Sequence, residues 1–167
     1  AFDRLTQLAC RVLGTPIAVI SLLDGDREFI KSQVGLGEPW ATQREFPLDY
    51  SYCQHVVAAR SALFIGDAHR HPQVHDNKLT LELGVDAYAG IPLVLPDGTV
   101  VGAFSVFDMQ PRIWTDDEIA TLTDLAAFAS TEIALRSEQA TRAAAEQALE
   151  KAEAALQHTI QRLTLLR

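Results

Sequence analysis

The chain has 167 residues, 48% of them hydrophobic, and its 22 Asp and Glu outweigh 14 Lys and Arg to leave a net charge of −8. One soluble globular core suits that size and apolar content, while an acidic balance with no cationic surplus argues against nucleic acid or an anionic membrane as partner. No stretch reaches the about 18 apolar residues that span a bilayer, and the N-terminus lacks the basic, apolar, small-residue order of a signal peptide. Cys10 and Cys53 fall outside any C-x-x-C spacing, which favours a reducing cytoplasm and leaves a single Cys10–Cys53 bridge open.

Phe2, Leu5, Leu8, Ala9, Val12 and Leu13 recur at helical spacing, and Gly14 is placed to end that helix. Residues 16–23 are β-rich and nearly all apolar. Asp24-Gly25-Asp26 signals a tight turn and residues 28–35 can return antiparallel, which predicts a hairpin. Residues 38–50, with two prolines and mixed polarity, read as a loop. Residues 51–60 read as a short helix with Cys53, Val56 and Val57 on one side, and residues 63–66 as a short strand. A polar stretch over 67–77 leads into a helical turn at 79–83. Residues 85–95 and 99–107 then form a second hairpin about Pro96-Asp97-Gly98.

All 7 prolines and 9 glycines precede residue 112, and the tail beyond is written in strong helix formers. Thr115 and Glu118 have the spacing of a capping box, with Trp114 placed to staple onto Ile119. A helix from 115 to 167 would reach ~80 Å, more than one small domain can cover. Its first part, with Ile119, Leu122, Leu125, Ala126, Phe128, Ala129, Ile133 and Leu135, carries a wide apolar stripe suited to a globular core. After Arg136 the stripe narrows to Leu149, Leu156 and Leu163, with Ala145, Ala152, Thr159 and Leu166 in the alternate positions of the same heptad frame, the pattern of a two-stranded seam. A change of phase predicts a stutter near 140–145. The expected division is a sensory domain over 1–136 and a coiled-coil helix over 137–167. The expected assembly is a parallel homodimer.

Several strings resemble the GAF family. Ser51-Tyr52-Cys53-Gln54-His55 is similar to a Ser-aromatic-Cys-x-His run that opens the middle helix in one bacterial branch. Asp67-Ala68 through Pro72, Asp76-Asn77 with Leu79, and Tyr88-Ala89-Gly90-Ile91-Pro92-Leu93 with Pro96-Asp97-Gly98 and Gly102 match further strings of that branch. The resemblance covers nearly all of the chain before the tail. It implies an α+β fold: an antiparallel sheet of five to six strands, terminal helices on one face, middle helices and a ligand pocket on the other, and a long C-terminal helix. It also implies a regulatory sensor of a bacterial signalling protein, passing a small-molecule or redox input to a covalently linked C-terminal effector, rather than an enzyme.

The pocket candidates are Tyr52, Cys53, His55, Asp67, Tyr88 and Phe107, with His55 foremost because an imidazole can hydrogen-bond a ligand. Asp67, His69, His71, His75 and Asp76 carry metal-ligating groups, but their spacing reads as a polar surface loop, and no metal is expected. The cofactor stays open. Gln54 separates Cys53 from His55, a departure from the adjacent Cys-His pair of bilin-binding relatives, and Asp108-Met109 stands where cyclic-nucleotide GAF domains have Asn-Lys. Free methionine-sulfoxide reductases share the fold but need several placed cysteines, whereas only Cys53 lies near the expected pocket. No Gly-rich phosphate loop, G-x-S-x-G or H-E-x-x-H occurs. Two functions remain open: a ligand-responsive module, or a structural dimerisation module whose vestigial pocket is filled by Tyr50, Tyr52, Tyr88 and Phe107.

Overall fold

The turn Asp24-Gly25-Asp26 does what its residues require, Gly25 taking a left-handed φ of 56° that a side chain disfavours. It joins β1 (Ile17–Asp24) to β2 (Arg27–Val34) in antiparallel register from Asp24↔Arg27 to Ala18↔Val34. A computed structural model describes residues 1–166; Arg167, the expected end of the tail helix, lies outside them. Ahead of this hairpin, α1 (Phe2–Leu13) ends at Gly14 in the left-handed conformation. After it come α2 (Trp40–Gln43), β3 (Glu45–Pro47), a 3₁₀ turn at Leu48–Tyr50, α3 (Cys53–Ala59) and β4 (Leu63–Ile65). A second 3₁₀ turn at Ala68–Arg70, α4 (Lys78–Leu83), β5 (Ala87–Val94), β6 (Val100–Asp108) and α5 (Asp116–Thr164) complete the order.

The six strands form one sheet in the order β3-β2-β1-β6-β5-β4, every pair antiparallel. Side chains alternate between its faces. One face, with Val19, Ile30, Tyr88, Ala103 and Phe107, packs against Tyr52, Cys53 and Val56 around α3 and against Val74, Leu79 and Val85 from the 67–86 segment. The opposite positions Ala18, Ile20, Ala89, Leu93, Phe104 and Val106 are also buried, as a sheet covered on both faces requires. On that side α1 lies along β1 and β2, where Ser32 Oγ donates to Asp3 Oδ1 at 2.6 Å and meets Thr6 Oγ1 at 3.0 Å. Leu122, Leu125, Ala126 and Ala129 of α5 are buried as well.

The stretch 38–50 is not the plain loop expected. It holds α2 and the edge strand β3, where Phe46 turns into the core and Glu45 pairs with Arg27 at 2.6 Å. Three residues ending in a proline carry too little alternation to announce a strand. Phe128, expected on the buried stripe, is 67% exposed. Residues 122, 125, 126 and 129 share one helical face, and residue 128 sits about 100° round from 129. Leu135 is exposed for the same reason.

The α5 start is the capping box read from the sequence: Thr115 N donates to Glu118 Oε2 at 2.9 Å and Glu118 N to Thr115 Oγ1 at 3.2 Å. Trp114 makes two further contacts beyond the expected staple position: its Nε1 donates to Ile65 O at 3.0 Å and its ring receives the Arg112 guanidinium. The chain separates into two compact units, Ala1–Glu132 and a second beginning at Ile133, with α5 contributing to both. In the second unit Leu149, Ala152, Leu156 and Leu163, the residues expected in a seam, are exposed, as is Ile160, which the heptad frame did not single out. The helix is continuous through 140–145, the stretch where the heptad phase changes. It ends at Thr164, so Leu166, expected on the same stripe, lies in the turn that follows the helix.

Candidate functional site

An apolar cavity of about 130 Å³ opens on the α3 face of the sheet. Its floor is Ile17 of β1 and Phe107 at the end of β6. Leu79, Leu83 and Val85 wall it from α4 and the residues behind it, and Leu36 and Trp40 of the β2–β3 connection close it together with Phe46 of β3, with Met109 at the rim. The connection can approach β1 because Gly35 has φ 84°, and a Cβ there would meet Pro16 O at 2.0 Å. Trp40 packs against two rings, Phe46 and Tyr50, each with its centroid at 4.8 Å. The Tyr50 hydroxyl in turn bonds Glu82, and Lys78 Nζ reaches Asp49 Oδ2 at 2.6 Å, tying α4 to the 3₁₀ turn beside the opening. The one charged residue on the lining, Glu38, is engaged with Thr42, whose Oγ1 donates to it at 2.6 Å.

Of the candidates from the sequence, Phe107 lines this cavity. Tyr52, Cys53 and Tyr88 lie in the packed core beneath it. Tyr52 and Tyr88 meet edge to face at 5.1 Å, and Tyr88 and Phe107 at 5.0 Å. The Thr80 hydroxyl donates to Val74 O at 2.6 Å, so the Tyr52 hydroxyl donates to Thr80; Tyr88 shares a 2.8 Å bond with Ser105. Burial pushes the Tyr52 phenol up to about 12 and the Tyr88 phenol well above its ordinary value. Gly90 has no room for a side chain, since a Cβ would come within 2.1 Å of the Tyr88 hydroxyl. These tyrosines occupy the centre of the layer as fixed neutral groups.

Cys53 is 2% exposed, and burial, then the neighbouring Glu28 carboxyl, drive its thiol well above the usual range. It is an inert thiol in this setting. Glu28, on β2 between Arg27 and Phe29, was not singled out in the sequence, where a strand position of this kind can carry either polarity. It is buried near Ser21 and Ser51, and burial raises its carboxyl above its ordinary value, with the two serine side chains acting the other way. Both cysteines are free, which removes the Cys10–Cys53 bridge left open above.

His55 is half-buried on α3 and faces the 71–76 segment rather than the cavity. Burial and then His71 lower its imidazole below its ordinary value, with Asp76 opposing. Asp67 precedes the 3₁₀ turn and is half-buried. His69 Nε2 pairs with Asp86 Oδ1 at 2.9 Å, His71 Nδ1 accepts from Gln73 N at 3.3 Å, and His75 N donates to His71 O at 3.0 Å. Among the described residues no three His, Cys, Asp or Glu side chains converge as a metal site.

The GAF domain family matches residues 1–133. A cyclic di-GMP phosphodiesterase of Pseudomonas aeruginosa is 30% identical over 112 residues, which is 66% of this chain and 18% of that protein. The chain thus spans about a fifth of that relative's length. Among solved structures, the GAF domain of an Acinetobacter phosphoenolpyruvate-protein phosphotransferase has a TM-score of 0.69 at 18% identity, each chain covered to 83%. The PixJ GAF domain of Thermosynechococcus elongatus, in its blue-light absorbing form, has a TM-score of 0.66 at 22% identity, with 86% of this chain and 89% of that one covered. With a six-stranded antiparallel sheet, a pocket-bearing face and a family match over most of its length, the chain belongs to the GAF domain family.

Proposed function

We propose that the chain is the regulatory input module of a longer bacterial signalling protein, taking a small uncharged apolar molecule and acting through α5 on a C-terminal effector. The observation that carries this is the cavity. It is walled by Leu, Ile, Val, Phe and Trp side chains, and its size is close to that of an engineered apolar cavity of about 150 Å³ that stays dry and binds benzene. A nucleotide, haem or bilin is far larger than this space. The role is regulatory rather than catalytic, since the nearby nucleophile, Cys53, is buried and protonated. The Pseudomonas relative supports the setting, its matched segment being a minor part of a signalling enzyme. We place the protein in the cytoplasm as a parallel homodimer through the exposed leucines of α5. No described helix is long and apolar enough to cross a membrane.

Thermal denaturation with benzene and with indole tests this. A probe at 100 times its dissociation constant raises stability by about 2.7 kcal/mol. Leu83→Trp, which fills the cavity from α4, abolishes the shift while keeping the far-UV circular dichroism. Absence of a shift with both probes favours the second reading, a dimerisation module with a closed core, which the Tyr52–Tyr88–Phe107 packing supports.

A further inference from the structure

We propose that Arg112 is the coupling residue between the cavity wall and the first turns of α5; this rests on the cavity being the input site. Phe107 and Met109 line the cavity, and Asp108 lies between them at the end of β6. Alternation along the strand sends the Asp108 carboxylate away from the side on which Phe107 lies. There Asp108 Oδ2 accepts from Arg112 Nη1 at 3.0 Å. The same guanidinium, through Nη2, donates to Leu13 O at the end of α1 at 2.9 Å and to Glu118 Oε1 in the first turn of α5 at 2.6 Å. One planar group therefore joins the cavity-lining strand, the last turn of α1 and the signalling helix.

The segment carrying Arg112 is held from below. Arg112 N donates to Gly66 O at 3.0 Å, a Cβ on Gly66 would meet Arg112 O at 2.7 Å, and Trp114 is bonded to Ile65 O with its ring 4.5 Å from the guanidinium carbon. Residues 112–114 thus stay with β4, and a displacement of the β6 end reaches α5 through the guanidinium. Glu118 is poised to read it: burial acts to raise its carboxyl, but the Thr115 N–H and Arg112 outweigh that and hold it below its ordinary value. A molecule in the cavity biases α5 by whatever difference in affinity it has for the bonded and released arrangements. Lysine cannot replace arginine here, because a single ammonium does not present a planar fork to three acceptors.

The experiment is a double-mutant cycle read by native-state hydrogen exchange over residues 115–125. Phe107→Leu perturbs the wall without any ligand, and Met109→Ala, at the exposed rim, does so should Phe107→Leu not fold. The expected result is roughly fivefold faster exchange in the wall variant, the loss of about one net hydrogen bond, and no further wall effect in Arg112→Met or Arg112→Lys. An equal wall effect in the Arg112 variants, or none in the parent, overturns the proposal; a merely stabilising Arg112 gives the former. Benzene adds an independent arm. A thermal shift in both parent and Arg112→Met, with altered α5 exchange only in the parent, supports coupling, and altered exchange in both overturns it. No benzene shift counts against the cavity as input site, while the ligand-free cycle still decides the role of Arg112.

Discussion

The first part of α5 and its continuation beyond residue 132 share a helix and nearly a vocabulary, yet their apolar residues meet opposite fates. Leu122 is 1% exposed, whereas Leu156 is 61% exposed. Composition does not separate them; the spacing of neighbours does. Leu122, Leu125, Ala126 and Ala129 form a stripe wide enough to enter a core, while single leucines seven apart make a narrow line that one helix cannot bury. Helix propensity writes both parts, but burial within the chain stabilises only the first.

The largest test of that contrast is one substitution made twice. Leu122→Ala should cost about 2–5 kcal/mol in a denaturant titration, from lost transfer energy and an unfilled cavity. Leu156→Ala should leave unfolding of the globular unit within about 0.5 kcal/mol, as an exposed site away from special features does. Equal losses would show that the two parts are stabilised alike. Truncation after Arg136 sharpens the point: the domain should melt nearly where it did before, while sedimentation at micromolar concentration shifts from dimer to monomer. A truncated chain that dimerises as tightly would move the interface off the seam.

Next comes the buried acid of the globular unit, which has no counterpart in the exposed helix. Glu28 has its carboxyl raised by burial, so the fold favours its protonated form. The stability this contributes is fully present below its ordinary value of 4.5 and is lost as pH rises through the higher folded value. His55 has the opposite sense: its lowered value means stability present above 6.5 and lost as pH falls through the folded value. Glu28→Gln should therefore gain on the parent as pH rises from 5 to 8, with parent and variant converging toward acid pH. A difference that does not vary with pH would place Glu28 in an ionised, compensated site.

What the sequence disclosed follows the same physical line. Elements with period or punctuation were legible: both hairpins, α1 with Gly14, and the Thr115–Glu118 box. β3 was not, because three residues hold no period. Neither was the placement of Tyr52 and Tyr88 beneath the cavity instead of on its lining, since local strings name a segment without saying which atoms a neighbour will cover. The cavity wall itself draws on Ile17, Leu36, Trp40, Leu79, Leu83 and Met109, ordinary apolar residues from separate elements. Arg112, whose three acceptors lie at 13, 108 and 118, is likewise a product of topology, not of spacing.

The smallest effect separates the two parts of α5 by sign. Thr115 precedes the helix, and its hydroxyl accepts from Glu118 N, a donor that no helical carbonyl can reach. Thr115→Ala removes that acceptor, and it loosens Glu118, whose carboxylate answers both Thr115 N and Arg112. The cost should be about 1 kcal/mol of domain stability. Thr141 lies inside the same helix on exposed surface, its hydroxyl bonded back to Ser137 O at 3.0 Å. That bond competes with the ladder instead of completing it, and its β-branched side chain has lost rotamers that alanine never had. Thr141→Ala should accordingly leave domain stability unchanged and raise the 222 nm ellipticity of the tail slightly, a gain of up to about 0.5 kcal/mol in local helix propensity. Two like substitutions on one helix then move in opposite directions, and a loss at both positions would mean that residue 141 is packed against a partner.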